Sequence, residues 1–284
     1  MNLKFLLLFA IFVVRECSSS HVLVLELLGA KSHRMSMMPI VKGLAERGHN
    51  ITIVSPNLCS ESIEGVREIQ TNNYFINTEF DWFKMNEDGG NPGKVLGFFS
   101  NLINVVFKNV LIDLMANAKF NDLMANEKVD LVIIDDSFND VGIPLIDKLG
   151  APFIIHSAST GYPWSWNSIG ASQEYASIPG RMSRYHNEMV FKERLVNTLI
   201  TAGLMMFRQY YILPPIDEHV REYFPNARPI AEIEKEASLL FLCSKIETTW
   251  PRPLPPTAVP LGALHVRPAQ PLPQVFVLVS IFNR

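Results

Sequence analysis

The feature that most constrains the fold of this chain is a near-continuous apolar run, HVLVLELL, over residues 21–28. Such a run is typical of a strand that is buried on both faces of a parallel sheet. Residues 36–45 follow with apolar side chains at helical spacing, and Ser36 is expected to cap that helix. Gly48 is a C-terminal stop signal, and ITIV at residues 51–54 is the next strand. This order predicts a βαβ unit.

The same order of elements returns in the middle of the chain. Residues 129–135, VDLVIID, are predicted to be a third strand. Asn139 or Asp140 can cap a short helix that ends at Gly150, and PFIIH at residues 152–156 is the strand after it. Alternating strands and helices predict an α/β fold, with a doubly wound parallel sheet and right-handed crossovers.

The N-terminus has the pattern of a targeting segment. Lys4 precedes the apolar run FLLLFAIFVV at residues 5–14, and three serines follow at 18–20. This is typical of a signal peptide, since a membrane span needs about 20 apolar residues. We therefore predict a signal peptide over residues 1–20 and a location in the secretory pathway. The alternatives are a buried first strand or a signal anchor.

The remainder divides into one domain and a tail. Residues 21–250 are predicted to form a single domain. It includes a helical stretch at 191–211, whose apolar cluster at 204–207 is expected to be core; the alternative is a surface for a membrane or an acceptor. Prolines crowd the chain beyond Trp250, so residues 251–284 are predicted to be an extended linker that ends in one apolar run.

Composition and missing motifs exclude several classes of protein. The formal net charge of −3 and the 48% of hydrophobic residues disfavour both a disordered chain and a basic nucleic-acid-binding protein. Three cysteines are too few for a disulfide scaffold, and no two have zinc spacing, so no metal site is predicted. The dinucleotide, nucleophile-elbow, Walker and HExxH motifs are missing, so no bound cofactor is predicted.

The candidate chemistry lies at two strand ends, where open α/β sheets bind their ligands. His33 follows the first strand, in the expected loop before the first helix, and Asp136 lies at the end of LVIID. The carboxylate could orient the imidazole, which would then act as a general base. Asp135 is an equal alternative, because adjacent strand residues point to opposite faces.

Three blocks of sequence resemble a known family. Ser32-His33, Pro39-Ile40 and LAERGHNITIV at 44–54 resemble the start of the UDP-glycosyltransferases of the endoplasmic reticulum, which include the UDP-glucuronosyltransferases. Residues 130–153 are similar to the central strand–helix–strand of that family, and residues 262–273 are similar to its inter-domain segment.

The resemblance implies the N-terminal, acceptor-binding domain of a GT-B glycosyltransferase, which has two Rossmann-like domains. It implies that His33 is the catalytic base and Asp136 its partner in inverting transfer from a UDP-sugar to a small lipophilic acceptor. Tyr162 and Trp164 are weaker candidates for the acceptor site. The family's UDP-sugar signature and membrane anchor are not in this sequence.

Two interpretations stay open at this point. The chain is either the N-terminal half of a transferase, in the lumen of the endoplasmic reticulum and inactive without a donor domain, or a non-catalytic acceptor-binding or regulatory half. In the second case it would pair with full-length relatives. Neither interpretation includes a nucleic-acid partner, and peripheral contact with a membrane is compatible with both.

Overall fold

The structure is a computed structural model. It describes residues 19–28, 31–59, 61–74, 100–171, 174–180, 183, 185–186, 188–245, 249–250, 252–262, 264–266 and 268. The predicted signal peptide, apart from residues 19 and 20, and the final apolar run at 275–282 lie outside these residues.

Within these residues, seven strands form one parallel sheet. They are β1 (His21–Leu25), β2 (Asn50–Ser55), β3 (Val66–Gln70), β4 (Leu131–Asp135), β5 (Phe153–Ser157), β6 (Leu239–Leu242) and β7 (Ala258–Pro260). Their spatial order is β3-β2-β1-β4-β5-β6-β7. The chain builds outward from β1 in one direction and then from β4 in the other, so the predicted doubly wound sheet is confirmed.

Helices connect the strands. They are α1 (Lys31–Ala45), α2 (Lys108–Ala116), α3 (Ala118–Asn126), α4 (Ile143–Leu149), α5 (Pro163–Ser168), α6 (Phe191–Phe207), α7 (Leu213–Tyr223) and α8 (Ile230–Ile233). Shorter turns of π or 3-10 type lie at Leu102–Phe107, Asp140–Gly142, Arg208–Ile212 and Glu234–Glu236. The predicted stop at Gly150 is confirmed, since this residue caps α4 in the left-handed conformation at φ 64°.

Two edge elements differ from the sequence prediction. The strand β3 was not predicted, because VREIQ has little apolar character. At the opposite edge, β7 lies inside the segment expected to be only a linker, and its Pro260 is the last strand residue. An edge strand tolerates proline because its outer N–H groups have no ladder partner.

The two faces of the sheet bury different partners. Helix α1 packs Met37 and Val41 against Val24, Ile53 and Ile133. A larger cluster on the other face includes buried side chains of α2, α3 and α7. Residues of β4 alternate between these faces, as expected for a strand with helices on both sides.

Helix α1 begins earlier than its capping signals predict. It starts at Lys31, so Ser36 lies inside the helix, where its hydroxyl donates to the carbonyl of His33 at 2.7 Å. His33 is therefore in the first helical turn and not in a preceding loop. Pro39 also lies inside the helix. The helix therefore fixes the position of His33 relative to the sheet.

Helix α6 departs from the expected apolar core. Its buried residues are the polar Asn197 and Thr201, whereas the Met206 side chain is 57% exposed. Asn197 donates to the carbonyls of Tyr175 and Ile178 at 2.6 and 2.8 Å, which explains why a polar face is turned inward. Of the cluster at 204–207, Phe207 packs against the core. Within the described part of the chain, no helix is long and apolar enough to cross a membrane.

Candidate active site

His33 and Asp135 meet where the winding of the sheet changes direction. The first turn of α1 carries His33 over the carboxyl ends of β1 and β4, which are neighbours. The Nδ1 group of His33 donates to Asp135, with Nδ1 2.9 Å from Oδ2 and 3.0 Å from Oδ1. The Asp135 side chain is 1% exposed and that of His33 is 19% exposed. A buried carboxylate therefore orients an imidazole that solvent can still reach.

The Asp135 carboxylate is fixed by further hydrogen bonds. Its Oδ1 atom accepts from the backbone N–H of Ser137 at 2.9 Å and from the Asn139 amide at 3.2 Å. The Asn139 carbonyl oxygen in turn accepts from the backbone of Leu27 at 2.6 Å and of Leu28 at 3.2 Å. Asn139 stands at the N-cap of the Asp140–Gly142 turn, but its side chain makes no capping hydrogen bond and instead links the residues after β1 to the carboxylate at the end of β4.

Asp136 lies on the other face, and the predicted pairing of Asp136 with His33 is corrected here to Asp135. The hydroxyl of Ser165 donates to Asp136 Oδ2 at 3.1 Å, and the Tyr162 N–H approaches the same atom at 3.4 Å. Because α1 covers the face of β4 that carries Ile133, it also covers the face that carries Asp135. The sequence did not decide which aspartate contacts His33. The alternation of side chains along β4, together with the position of α1, selects Asp135.

Burial and charge shift the pKa values of the two carboxyl groups in opposite directions. Burial opposes ionisation of Asp135, but its interactions with His156 and His33 outweigh burial and lower its pKa to about 2. Burial, and then the charge of Asp135, raise the pKa of Asp136 to about 6. Asp135 is therefore the permanent anion of the pair.

The Asp135 carboxylate also shifts the pKa of His33. Burial disfavours the imidazolium, but the hydrogen bond and the charge of Asp135 raise the pKa of His33 above its usual value. The position of His33 in the first turn of α1 acts in the opposite direction, because a helix N-terminus disfavours a cation. His33 accepts a proton readily in this setting.

A second charged cluster lies behind the site. Glu26 follows β1 and is fully buried, and burial raises its pKa to about 7 despite the nearby Arg34. Arg34 lies 3.5 Å from Glu26 and also binds Glu68. Cys59 accepts from Arg34 at 3.1 Å, and both Cys59 and Cys243 are free thiols.

The predicted acceptor residues stack on one another. The rings of Tyr162 and Trp164 are nearly parallel, with centroids 4.4 Å apart, and the Arg208 guanidinium lies 5.1 Å from the centre of the Trp164 ring. A cavity of about 520 Å³ is lined by their sequence neighbours Gly161 and Pro163. Neither Tyr162 nor Trp164 is among its described lining residues. Its walls include Trp166, Tyr175, Tyr185, Trp250 and Arg252.

Sequence comparison assigns the chain to a family. Residues 21–280 match the family described as UDP-glucoronosyl and UDP-glucosyl transferase, and the chain belongs to this family of glycosyltransferases. The predicted family is thereby confirmed. Together with the doubly wound sheet, it agrees with the predicted N-terminal domain of a GT-B glycosyltransferase.

Individual relatives agree with this assignment. A UDP-glycosyltransferase of Dactylopius coccus, UGT5, is 29% identical over 252 residues, which are 86% of this chain and 47% of the relative. The UDP-glucuronosyltransferase 2B10 of Homo sapiens is 25% identical, over 84% of this chain and 48% of the relative. The chain spans about half the length of the curated relatives it matches.

Solved structures of glycosyltransferases are also similar. A UDP-glucosyltransferase from Polygonum tinctorium, solved with 3,4-dichloroaniline, matches with a TM-score of 0.46 and 13% identity. The match covers 93% of this chain and 56% of that chain.

Proposed function

We propose that this chain supplies the general base and the acceptor-binding wall of a UDP-glycosyltransferase. The observation that supports the proposal is the contact of His33 with the buried carboxylate of Asp135. This contact occupies Nδ1, while Nε2 makes no hydrogen bond to any residue that the structure describes. Nε2 is therefore the atom that would take a proton from the acceptor.

The reaction follows from this arrangement. Nε2 of His33 removes the proton of an acceptor hydroxyl, and the oxygen attacks the anomeric carbon of the sugar from the side opposite to the UDP group. The bond between that carbon and the diphosphate breaks, UDP leaves with the electron pair, and the configuration at carbon inverts. Asp135 stabilises the imidazolium that forms and holds the ring in one tautomer.

The cavity of about 520 Å³ is the acceptor site that fits this role. It lies beyond the carboxyl ends of β5 and β6, and aromatic side chains form much of its wall. The aromatic side chains suit a small lipophilic acceptor, and polar side chains such as Glu174 and Arg252 share the wall with them. Tyr162 and Trp164 stay predictions as acceptor contacts, and the UDP-sugar is the proposed donor. The lumen of the endoplasmic reticulum stays the predicted location.

Transfer by a fused enzyme tests the proposal. The chain is joined to the part of the Dactylopius coccus relative that it does not cover, and transfer from UDP-glucose and UDP-glucuronic acid to phenolic acceptors is measured. His33→Ala is expected to lower kcat by about 10²–10⁴-fold, the usual effect of removing a general base. Circular dichroism should show an unchanged fold.

His219→Ala is the matched control, because His219 contacts Glu222 on α7 and neither Asp135 nor Asp136. It should leave kcat close to that of the unchanged enzyme. Full turnover by His33→Ala would contradict the proposal. A fused enzyme that binds acceptors but transfers no sugar would favour the non-catalytic alternative.

A further inference from the structure

Asp135 faces a second histidine. His156 on β5 stands in register with Asp135 on β4, so both side chains lie on the sheet face that α1 covers. Its Nδ1 atom is 3.6 Å from the same Oδ2 atom that His33 contacts at 2.9 Å. The His156 side chain is 0% exposed. One carboxylate is therefore shared by an accessible and an inaccessible imidazole.

The ring of His156 is held in place from its other side. Nε2 lies 3.1 Å from the Cys243 sulfur and 3.5 Å from the Ser36 hydroxyl. Nδ1, by contrast, has no hydrogen bond within the usual distance to any described residue, and the carboxylate of Asp135 is the charged group it faces. Buried ring nitrogens are normally paired, so this contact points to an ion pair between the ring and Asp135.

We propose that His156 is a positioning residue, an imidazolium that shares Asp135 with His33 and thereby controls how readily His33 takes up and releases a proton. The inference rests on the proposed role of His33 as the base. A buried carboxylate with no second cation would hold the proton on His33 more tightly and leave less of the imidazole free to act as a base. A second cation on that carboxylate weakens its hold, because like charges disfavour each other.

Other charged groups around His33 also favour its protonated form, so a cation that opposes them has a role to play. Asp136 and Glu26 act on His33 in the same direction as Asp135, and each raises its pKa. Arg34 is engaged with Glu26 and Glu68, so its charge is already neutralised nearby. His156 is the remaining cation that directly faces Asp135 in the described structure.

The surroundings of His156 favour its charged form. Burial opposes the imidazolium, but the interactions with Asp135 and Cys243 outweigh burial and raise the pKa of His156 to about 10. Asp136 adds a further negative charge on the neighbouring strand when it is ionised. His156 is therefore protonated at pH 7.

Titration of the imidazole nitrogens by ¹⁵N NMR tests the proposal on the 284-residue chain itself. His156→Asn is expected to raise the titration midpoint of His33 by about one pH unit, the size of effect expected for a nearby charge. No change in that midpoint, or a fall, would overturn the proposal. The measurement needs no sugar transfer. The proposal for His156 can therefore fail while the role of His33 as base survives, and the role of His33 can fail while the effect of His156 on its titration is still observed.

Cys243→Ser is the matched control. It replaces the sulfur with a hydroxyl that can still accept from Nε2 of His156, and it leaves the contact with Asp135 intact, so the His33 midpoint should move much less than in His156→Asn. A shift as large as that of His156→Asn would assign the effect to packing and overturn the proposal. The unsubstituted chain gives an independent result if His156→Asn does not fold. His156 must then show protons on both ring nitrogens while His33 titrates, and a neutral His156 ring at pH 7 would refute the proposal.

Discussion

Nδ1 of His33 lies 2.9 Å from Oδ2 of Asp135, although 102 residues separate them in the chain. The contact exists because β1 and β4 are neighbours in the sheet and because α1 crosses the face that carries Asp135. Asp136, one residue further along, is turned toward Ser165 on the opposite face. The two carboxylates therefore have different partners, and their removal should have different effects.

The first prediction compares Asp135→Asn with Asp136→Asn in the fused enzyme. Asp135→Asn keeps the size of the side chain but removes the charge that stabilises the His33 imidazolium, so kcat should fall by about 10²–10⁴-fold. Asp136→Asn should retain most of the activity. Steady-state kinetics at saturating acceptor measure both. Equal losses would show that Asp136 acts on the base as strongly as Asp135.

The second prediction concerns stability and pH. The pKa of Asp136 is raised from 3.8 to about 6, so the folded state holds this proton more tightly than the unfolded state. The unsubstituted chain should lose stability relative to Asp136→Asn as the pH rises from about 4 to 6, by up to about 3 kcal/mol. Urea denaturation at a series of pH values measures the difference. The exposed Asp122→Asn is the control, and a difference that grows as the pH falls would contradict the prediction.

Asn139→Ala should destabilise the protein. The Asn139 side chain accepts from the buried N–H groups of Leu27 and Leu28, and alanine leaves both donors without it. Since an unpaired buried donor costs about 1–3 kcal/mol, the free energy of unfolding should fall by about 2–4 kcal/mol. The exposed Asn167→Ala should change it by less than about 0.5 kcal/mol. Equal stability of the two variants in urea would contradict the role of Asn139.

Replacing either of two glycines with alanine should change the stability of the protein, in opposite directions at the two positions. A Cβ atom at Gly142 would lie 2.9 Å from Cδ1 of Ile134, so Gly142→Ala should destabilise the protein by about 1–3 kcal/mol through overpacking. At Gly203 in α6 nothing described lies within 4 Å of a new Cβ. Gly203→Ala should therefore stabilise the helix by about 0.5–1 kcal/mol. Thermal denaturation of the two variants measures this, and a loss of stability in Gly203→Ala would be the contradicting result.

Several features were open to prediction because they depend on local pattern. Continuous apolar runs identified β1, β4 and β5, since a strand between two helical layers has no polar face. Gly150 marked the end of α4 because left-handed backbone favours glycine. His33 was chosen as a candidate because the loops and helices after parallel strands collect at one edge of the sheet, where open α/β sheets bind their ligands.

The partners of those residues were decided by packing over long distances in the chain. Adjacent aspartates have equal local signals, and only the placement of α1 on one face selected Asp135. His156 sits in an apolar strand and carries no motif, so its contact with Asp135 appears only once β4 and β5 are in register. The amino-acid sequence by itself thus determined the doubly wound sheet and the sheet edge that carries the candidate site, because strand and helix periodicity are local. The tertiary structure alone decided which carboxylate contacts His33 and which second imidazole faces that carboxylate, because register and helix placement are set by contacts among distant segments.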